Sequence, residues 1–197
     1  MAYDKALIAE KLRRWEKYLE QYSLPRWEDI PDFGLYMEQA LALLKDYLDY
    51  LPPELKEEQL ITAAAINNYV RKGIMPKPIK KKYYRVHMAY LVMICSLKQS
   101  LGITTLKMLI PDGLCEAEFK EIYDKYAQRH NRSTHYFIGQ VRSAAAGILG
   151  HEMTGELATC DTGELIMSSA VVSGFSRLLA EKLLLLEGVK AEKEKAQ

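Results

Sequence analysis

Apolar residues recur at three- and four-residue steps along most of this chain, and the stretches where that rhythm stops are fenced by proline or glycine. A three- to four-residue period places side chains on one face of an α-helix, whereas a strand needs alternation. Strand signal is nearly absent, so the expected fold is all-α, with at most a short two-stranded wing. Asp4 is placed to cap a first helix through Leu7, Ile8, Leu12, Trp15, Tyr18, Leu19 and Tyr22. Leu24 to Asp32, with Pro25 and Pro31, reads as a linker, and Asp32 as the cap of a second helix that runs through Leu48 and is ended by Leu51, Pro52 and Pro53. Thr62 is placed to cap a short helix to Lys72, with Gly73 at the left-handed position that commonly ends helices.

Met75 to Tyr83 cannot continue that helix, because Pro76 and Pro78 remove donors and fix φ. A hairpin or loop is expected there. Helical pattern resumes from about Arg85 to Gly102, and Thr104 opens one more short turn to Ile110, stopped by Pro111. Glu116 to about His130 and Thr134 to Leu149 read as two further helices, Thr154 to Gly163 as a loop, and Ser168 to about Glu187 as the last helix, with a fraying tail from Lys190. The divisions are 1–33, an N-terminal helix and linker; 34–111, a central domain; and 112–197, a C-terminal helical region.

Charge singles out the centre. Residues 59–111 hold nine Lys or Arg and no Asp or Glu, against 8 basic and 13 acidic side chains before them and 10 and 13 after. The net charge of +1 therefore conceals a strongly basic module, the pattern of a surface that meets a polyanion. On a helical wheel of residues 62–72, Ile66, Tyr69, Val70 and Ala63 cluster as a core face. Ala64, Asn68 and Arg71 lie opposite, flanked by Asn67 and Lys72. Small residues permit close approach, amides can pair with an adenine edge, and terminal cations can meet phosphates, as a major-groove helix requires. Lys80, Lys81, Lys82, Tyr83, Tyr84 and Arg85 follow on the proline-held loop, where ammonium, hydroxyl and guanidinium groups suit phosphate or sugar.

The stretch Ile61 to Pro76 resembles the winged helix-turn-helix of the mercury-resistance-regulator (MerR-like) superfamily, in which a capped helix, a Gly and a Pro lead into a basic wing. More closely, Leu35-Tyr36-Met37, Ile66-Asn67-Asn68-Tyr69-Val70, Lys80-Lys81-Lys82-Tyr83 and Ala89-Tyr90-Leu91 resemble the bacterial family catalogued as domain of unknown function 1836, over roughly 24–111. The first resemblance implies a DNA-binding fold; the second family has no established activity. Two departures stand out: the superfamily usually has Arg where Asn67 stands and an acid where Val70 stands. Leu51 to Ile61 is also longer than the usual turn between the two helices of such a motif.

The expected function is binding of double-stranded DNA by a transcriptional regulator, with Asn67, Asn68 and Arg71 toward bases and Lys72, Lys80, Lys81, Lys82, Tyr83, Tyr84 and Arg85 toward the backbone. A helical protein-interaction module whose basic face meets an acidic partner or RNA is the alternative. No enzymatic activity, cofactor or metal is expected. His130 and His135 fall about 140° apart on a helix, and His151-Glu152 lacks the second histidine of a zinc-protease motif. Cys95, Cys115 and Cys160 form no CxxC and read as buried, reduced thiols. No apolar run is long enough for a membrane span, and the cytoplasm is the expected compartment. Two half-sites call for a homodimer through the C-terminal helices. The small residues of Ser143 to Gly150 serve either that seam or the subunit interior. A small-molecule effector in the C-terminal half is compatible with this reading.

Overall fold

The computed structural model describes residues 4–51, 60–111 and 113–195, with side chains as far as Leu178. Among these residues the protein is all-helical: eight α-helices, one 3-10 turn, and two isolated β-bridges in place of strands. The helices are α1 (Lys5–Gln21), α2 (Met37–Tyr47), α3 (Ala63–Arg71), α4 (Arg85–Leu97), α5 (Ile103–Leu109), α6 (Glu116–Ala144), α7 (Ala146–Leu149) and α8 (Thr162–Lys195). No described helix is long and apolar enough to cross a membrane.

Two compact units form, one of the chain up to Ser23 with Arg129–Leu179, the other of Leu24–Gln128 with the end of the last helix from Ala180. The second of these, the central unit, is built around Leu24–Gln128. Its axis is α4, where every residue from His87 to Ser96 is buried, because a helix apolar on all sides must be covered on all sides. α2 packs on both α4 and α3. Leu44, Ile66, Tyr69, Met88, Leu91 and Ile94 are each fully buried, and burying one such aliphatic side chain is worth about 1.5–3 kcal/mol.

The start of α6 closes this unit. Phe119 stacks on Tyr90 with ring centroids 3.7 Å apart, and Trp27 meets Phe119 and Tyr123 edge-on. Tyr123 donates its hydroxyl proton to the Pro25 carbonyl at 2.8 Å, and Lys120 bridges Glu28 and Asp124. Leu24, Trp27 and Ile30 of the linker are part of the core, and Trp27–Asp29 make a 3-10 turn.

The second unit joins α1 to the latter part of α6, α7 and the start of α8. α1 packs on α7, where Arg13 donates to the Leu149 carbonyl at 2.7 Å, and Arg142 of α6 bridges Glu16 and Glu20. The small residues of 143–150 serve the interior. Ala145 and Ala146 are buried, and a Cβ at Gly147 would lie 2.9 Å from the Cys160 Cβ, the Met153 Sδ and the Thr159 carbonyl oxygen.

Several boundaries differ from expectation. Residues 116–144 form one helix rather than two, and α8 starts at Thr162 and runs to Lys195 where a fraying tail was expected. Its start is set by Asp161, whose Oδ1 accepts from the Glu164 N–H at 2.9 Å. α2 begins at Met37, not after Asp32, because Leu35 is first drawn into extended pairing with Tyr83. Gly102, not Thr104, stands at the cap of α5. Pro52 and Pro53, and most of the long connection before Ile61, lie outside the described residues. Of the cysteines only Cys95 is buried, its thiol pushed up to about 12 by desolvation; Cys115 and Cys160 are exposed.

Candidate nucleic-acid interface

α3 starts as expected: the Thr62 Oγ1 accepts from the Ala65 N–H at 3.1 Å, satisfying one of the unpaired donors of the first turn. It ends at Gly73, whose φ of 65° suits a residue without a Cβ. Ile66 and Tyr69 anchor the helix in the core, and the Lys98 ammonium lies 5.8 Å from the centroid of the Tyr69 ring. The outward residues are Ala63, Ala64, Asn67, Arg71 and Lys72. Ala63 is thus outside the core face that the wheel gave it, since the first turn projects beyond the layer that Ile66 reaches. Asn67 is exposed, whereas Asn68 is half-buried and its Oδ1 accepts from Arg71 Nη2 at 2.9 Å. Asn68 therefore positions the guanidinium of Arg71.

The expected wing is a two-residue hairpin. Ile79 and Lys82 exchange N–H···O=C bonds of 3.0 and 2.9 Å, and Lys80 and Lys81 occupy the tip with φ of 49° and 64°. Both central residues at positive φ mark a type I′ turn, whose twist suits a tight hairpin and which ordinarily selects Asn-Gly. A non-glycine residue there costs about 1–2 kcal/mol. Lys80 and Lys81 are exposed, as is Lys77.

The base of the hairpin is pinned twice. Leu35 and Tyr83 exchange two backbone bonds of 2.8 Å each. His87 is buried; its Nδ1 accepts from the Tyr84 N–H at 3.1 Å, which leaves the proton on Nε2 to be donated to the Lys77 carbonyl at 3.0 Å. Burial lowers the His87 pKa from the ordinary 6.5, so the neutral ring is the form the fold uses.

These constraints divide the sequence-derived residues. Asn67, Arg71, Lys72, Lys80 and Lys81 face solvent, and Lys82 is half-buried with its ammonium 5.0 Å from the centroid of the Tyr36 ring. Tyr83 is not a surface group: it is 3% exposed, because its pairing with Leu35 turns the ring into the core. Arg85 is a clamp rather than a free cation, donating from Nε to the Ile30 carbonyl at 2.7 Å, with Nη2 4.0 Å from Asp32. Tyr84 is half-buried at the start of α4. Lys107 was missed. Its Nζ reaches the Lys72 carbonyl at 3.5 Å, adding an exposed cation at the end of α3, and its place in the acid-free stretch was the available signal. A cavity of about 330 Å³, lined by Val70, Met75, Pro76, Val86, Tyr90 and Leu114, lies behind these elements.

No curated protein and no solved structure matches the chain. The family model described as Domain of unknown function (DUF1836) matches residues 25–128, just over half the sequence and nearly all of the Leu24–Gln128 part of the central unit. The segment that packs around α4 and carries α3 and the lysine hairpin is thus the part of the chain that the family model covers, and the chain belongs to the family of the domain of unknown function DUF1836.

Proposed function

We propose that this protein binds duplex DNA as a transcriptional regulator without enzymatic activity, α3 entering the major groove and the hairpin at Ile79–Lys82 gripping the backbone as the wing of a MerR-like helix-turn-helix. The observation that carries this reading is the pair Lys80-Lys81 at two left-handed positions where Asn-Gly would relieve strain. Backbone strain held at exposed cations points to a use for those cations, since strain of this kind concentrates at functional sites. Arg71, Lys72, Lys77 and Lys107 extend the basic surface, and Asn67, with the Asn68–Arg71 pair, offers the groups that read base edges. Two copies pairing through α8 complete the reading, each supplying one half-site.

The test is selection from a random duplex library followed by a salt titration of the selected sequence. With five cations on phosphates, log affinity falls against log salt with a slope of about −4 to −5. A slope near zero, or no enrichment of any duplex, overturns the proposal. Enrichment of RNA or of acidic proteins without a duplex preference favours the interaction-module alternative.

A further inference from the structure

The cavity of about 330 Å³ opens where four segments of the central unit meet. Val70 comes from the end of α3, Met75 and Pro76 from the chain that leads into the lysine hairpin, Val86 and Tyr90 from α4, and Leu114 from the connection before α6. These side chains give it mainly apolar walls. Protein interiors hold few voids larger than a water molecule, and a space of this size with such walls lies in the range that small ligands occupy.

The walls are held in place from behind. The Tyr90 ring is stacked on Phe119, and its hydroxyl donates to the Pro111 carbonyl at 2.9 Å. The Lys77 carbonyl is fixed by the 3.0 Å contact from His87 Nε2, and the Ile74 N–H donates to the Tyr69 carbonyl at 3.1 Å where the chain leaves α3. The cavity is therefore formed before a ligand arrives, and little ordering opposes binding.

Charge at the rim selects the ligand. Among the described residues that line the cavity, Lys77 alone is charged. A second ammonium stands at the Gly73 edge, where the Lys107 Nζ lies 3.7 Å from the position a Cβ would take. The lining residues from Val70 to Tyr90 all belong to the stretch 59–111 that contains no acid. An anionic group is attracted by both cations, and a cationic one is repelled.

We propose that this cavity binds a small apolar carboxylic acid, its hydrocarbon body against Val70, Met75, Val86 and Leu114 and its carboxylate toward Lys77 and Lys107. The site is additional to DNA binding and stands whether or not the hairpin meets a duplex. Because residues 75–77 join α3 to the hairpin, the occupant touches the segment that connects the two basic elements.

The experiment labels the methionine methyls of the full chain with carbon-13 and titrates it with phenylbutyrate and, separately, with phenylbutylamine, which keeps the hydrocarbon and reverses the charge. The Met75 signal, assigned by its loss in Met75→Leu, is expected to shift and saturate with the acid at a dissociation constant below about 1 mM, and with the amine about tenfold more weakly. Met108, Met153 and Met167, which are exposed elsewhere, are the controls for unspecific contact and stay unshifted. Val86→Phe and Leu114→Phe each fill the cavity and weaken binding of the acid by about tenfold or more, and Lys77→Glu lowers the preference for acid over amine. Melting curves identify the variants that are folded. No Met75 shift with either compound, equal affinity for acid and amine, equal shifts at the control methionines, or undiminished binding by a folded filling variant each overturns the proposal. Duplex DNA is absent from every arm, so these results leave the reading of the hairpin as a wing untouched.

Discussion

Lys80 and Lys81 show how a single pair of residues can set stability against binding. Replacing them with Asn and Gly relieves two left-handed lysines, and thermal or urea unfolding is expected to show a gain of about 1–3 kcal/mol. The same change removes two exposed cations, so the salt slope on duplex DNA falls in magnitude by about 2. A double variant that gains stability and keeps its DNA affinity would separate the hairpin from any binding role. His87 makes a second prediction at this scale. Its pKa lies below 6.5 in the folded protein, so the unfolded chain takes up the proton first as pH falls. The stability contribution of the neutral ring is therefore complete above about pH 6.5 and is lost progressively below it. Protonation also destroys the acceptor for the Tyr84 N–H at the root of the hairpin. His130 is shifted in the same direction, again by burial, so the control is His87→Gln: the fall in melting temperature between about pH 6.5 and 5 becomes shallower without vanishing. Thr62 and Gly73 were legible from sequence because each acts on its own backbone. Tyr83 and Arg85 were not, because each has an apolar body and a polar tip, and which of them dominates depends on partners as distant as Leu35 and Ile30.

At the scale of the element, α3 is a helix held by two core side chains with an exposed face that contributes little to stability. Asn67→Ala leaves the core contacts intact and slightly improves helix propensity. In duplex selections it is expected to relax preference at one base position by about 1–3 kcal/mol with the overall salt slope unchanged. Asn68→Ala acts differently, since it releases Arg71 from its 2.9 Å contact and blurs recognition wherever Arg71 reaches. Identical selected motifs for the wild type and Asn67→Ala would remove this residue from the reading face. The ends of α3 were readable from its sequence, whereas the start of α2 was not. Asp32 is a good cap by type, but Leu35 must remain extended to pair with Tyr83, and a helix cannot begin until that pairing ends.

At the scale of the whole molecule, α8 leaves Ile166, Met167, Val171, Val172, Phe175 and Leu178 between 49 and 68% exposed along one helix. Contiguous apolar surface beyond a few hundred Å² marks an interaction site, and a stable interface buries about 800 Å² per partner. A helix of 34 residues is about 50 Å long, ample for such an interface. Val171→Asp combined with Phe175→Glu is expected to convert a dimer to a monomer in sedimentation equilibrium, with the helix content unchanged. If the wild type is monomeric across the micromolar range, two-fold half-site reading fails.

The sequence by itself determined the helical class, the basic centre with its acidic flanks, the caps of α1 and α3, and the break from Met75 to Tyr83, because period, charge and proline chemistry act within a few residues of themselves. Only the tertiary structure decided which side of the hairpin root faces the core, that the linker at Trp27 belongs to the packed unit with Phe119 and Tyr123, and that Arg71 is held by Asn68 while Asn67 stands free of the core. Those outcomes follow from contacts between residues far apart in the chain, or from small differences in how far a helical turn projects, and neither leaves a periodic trace in the sequence.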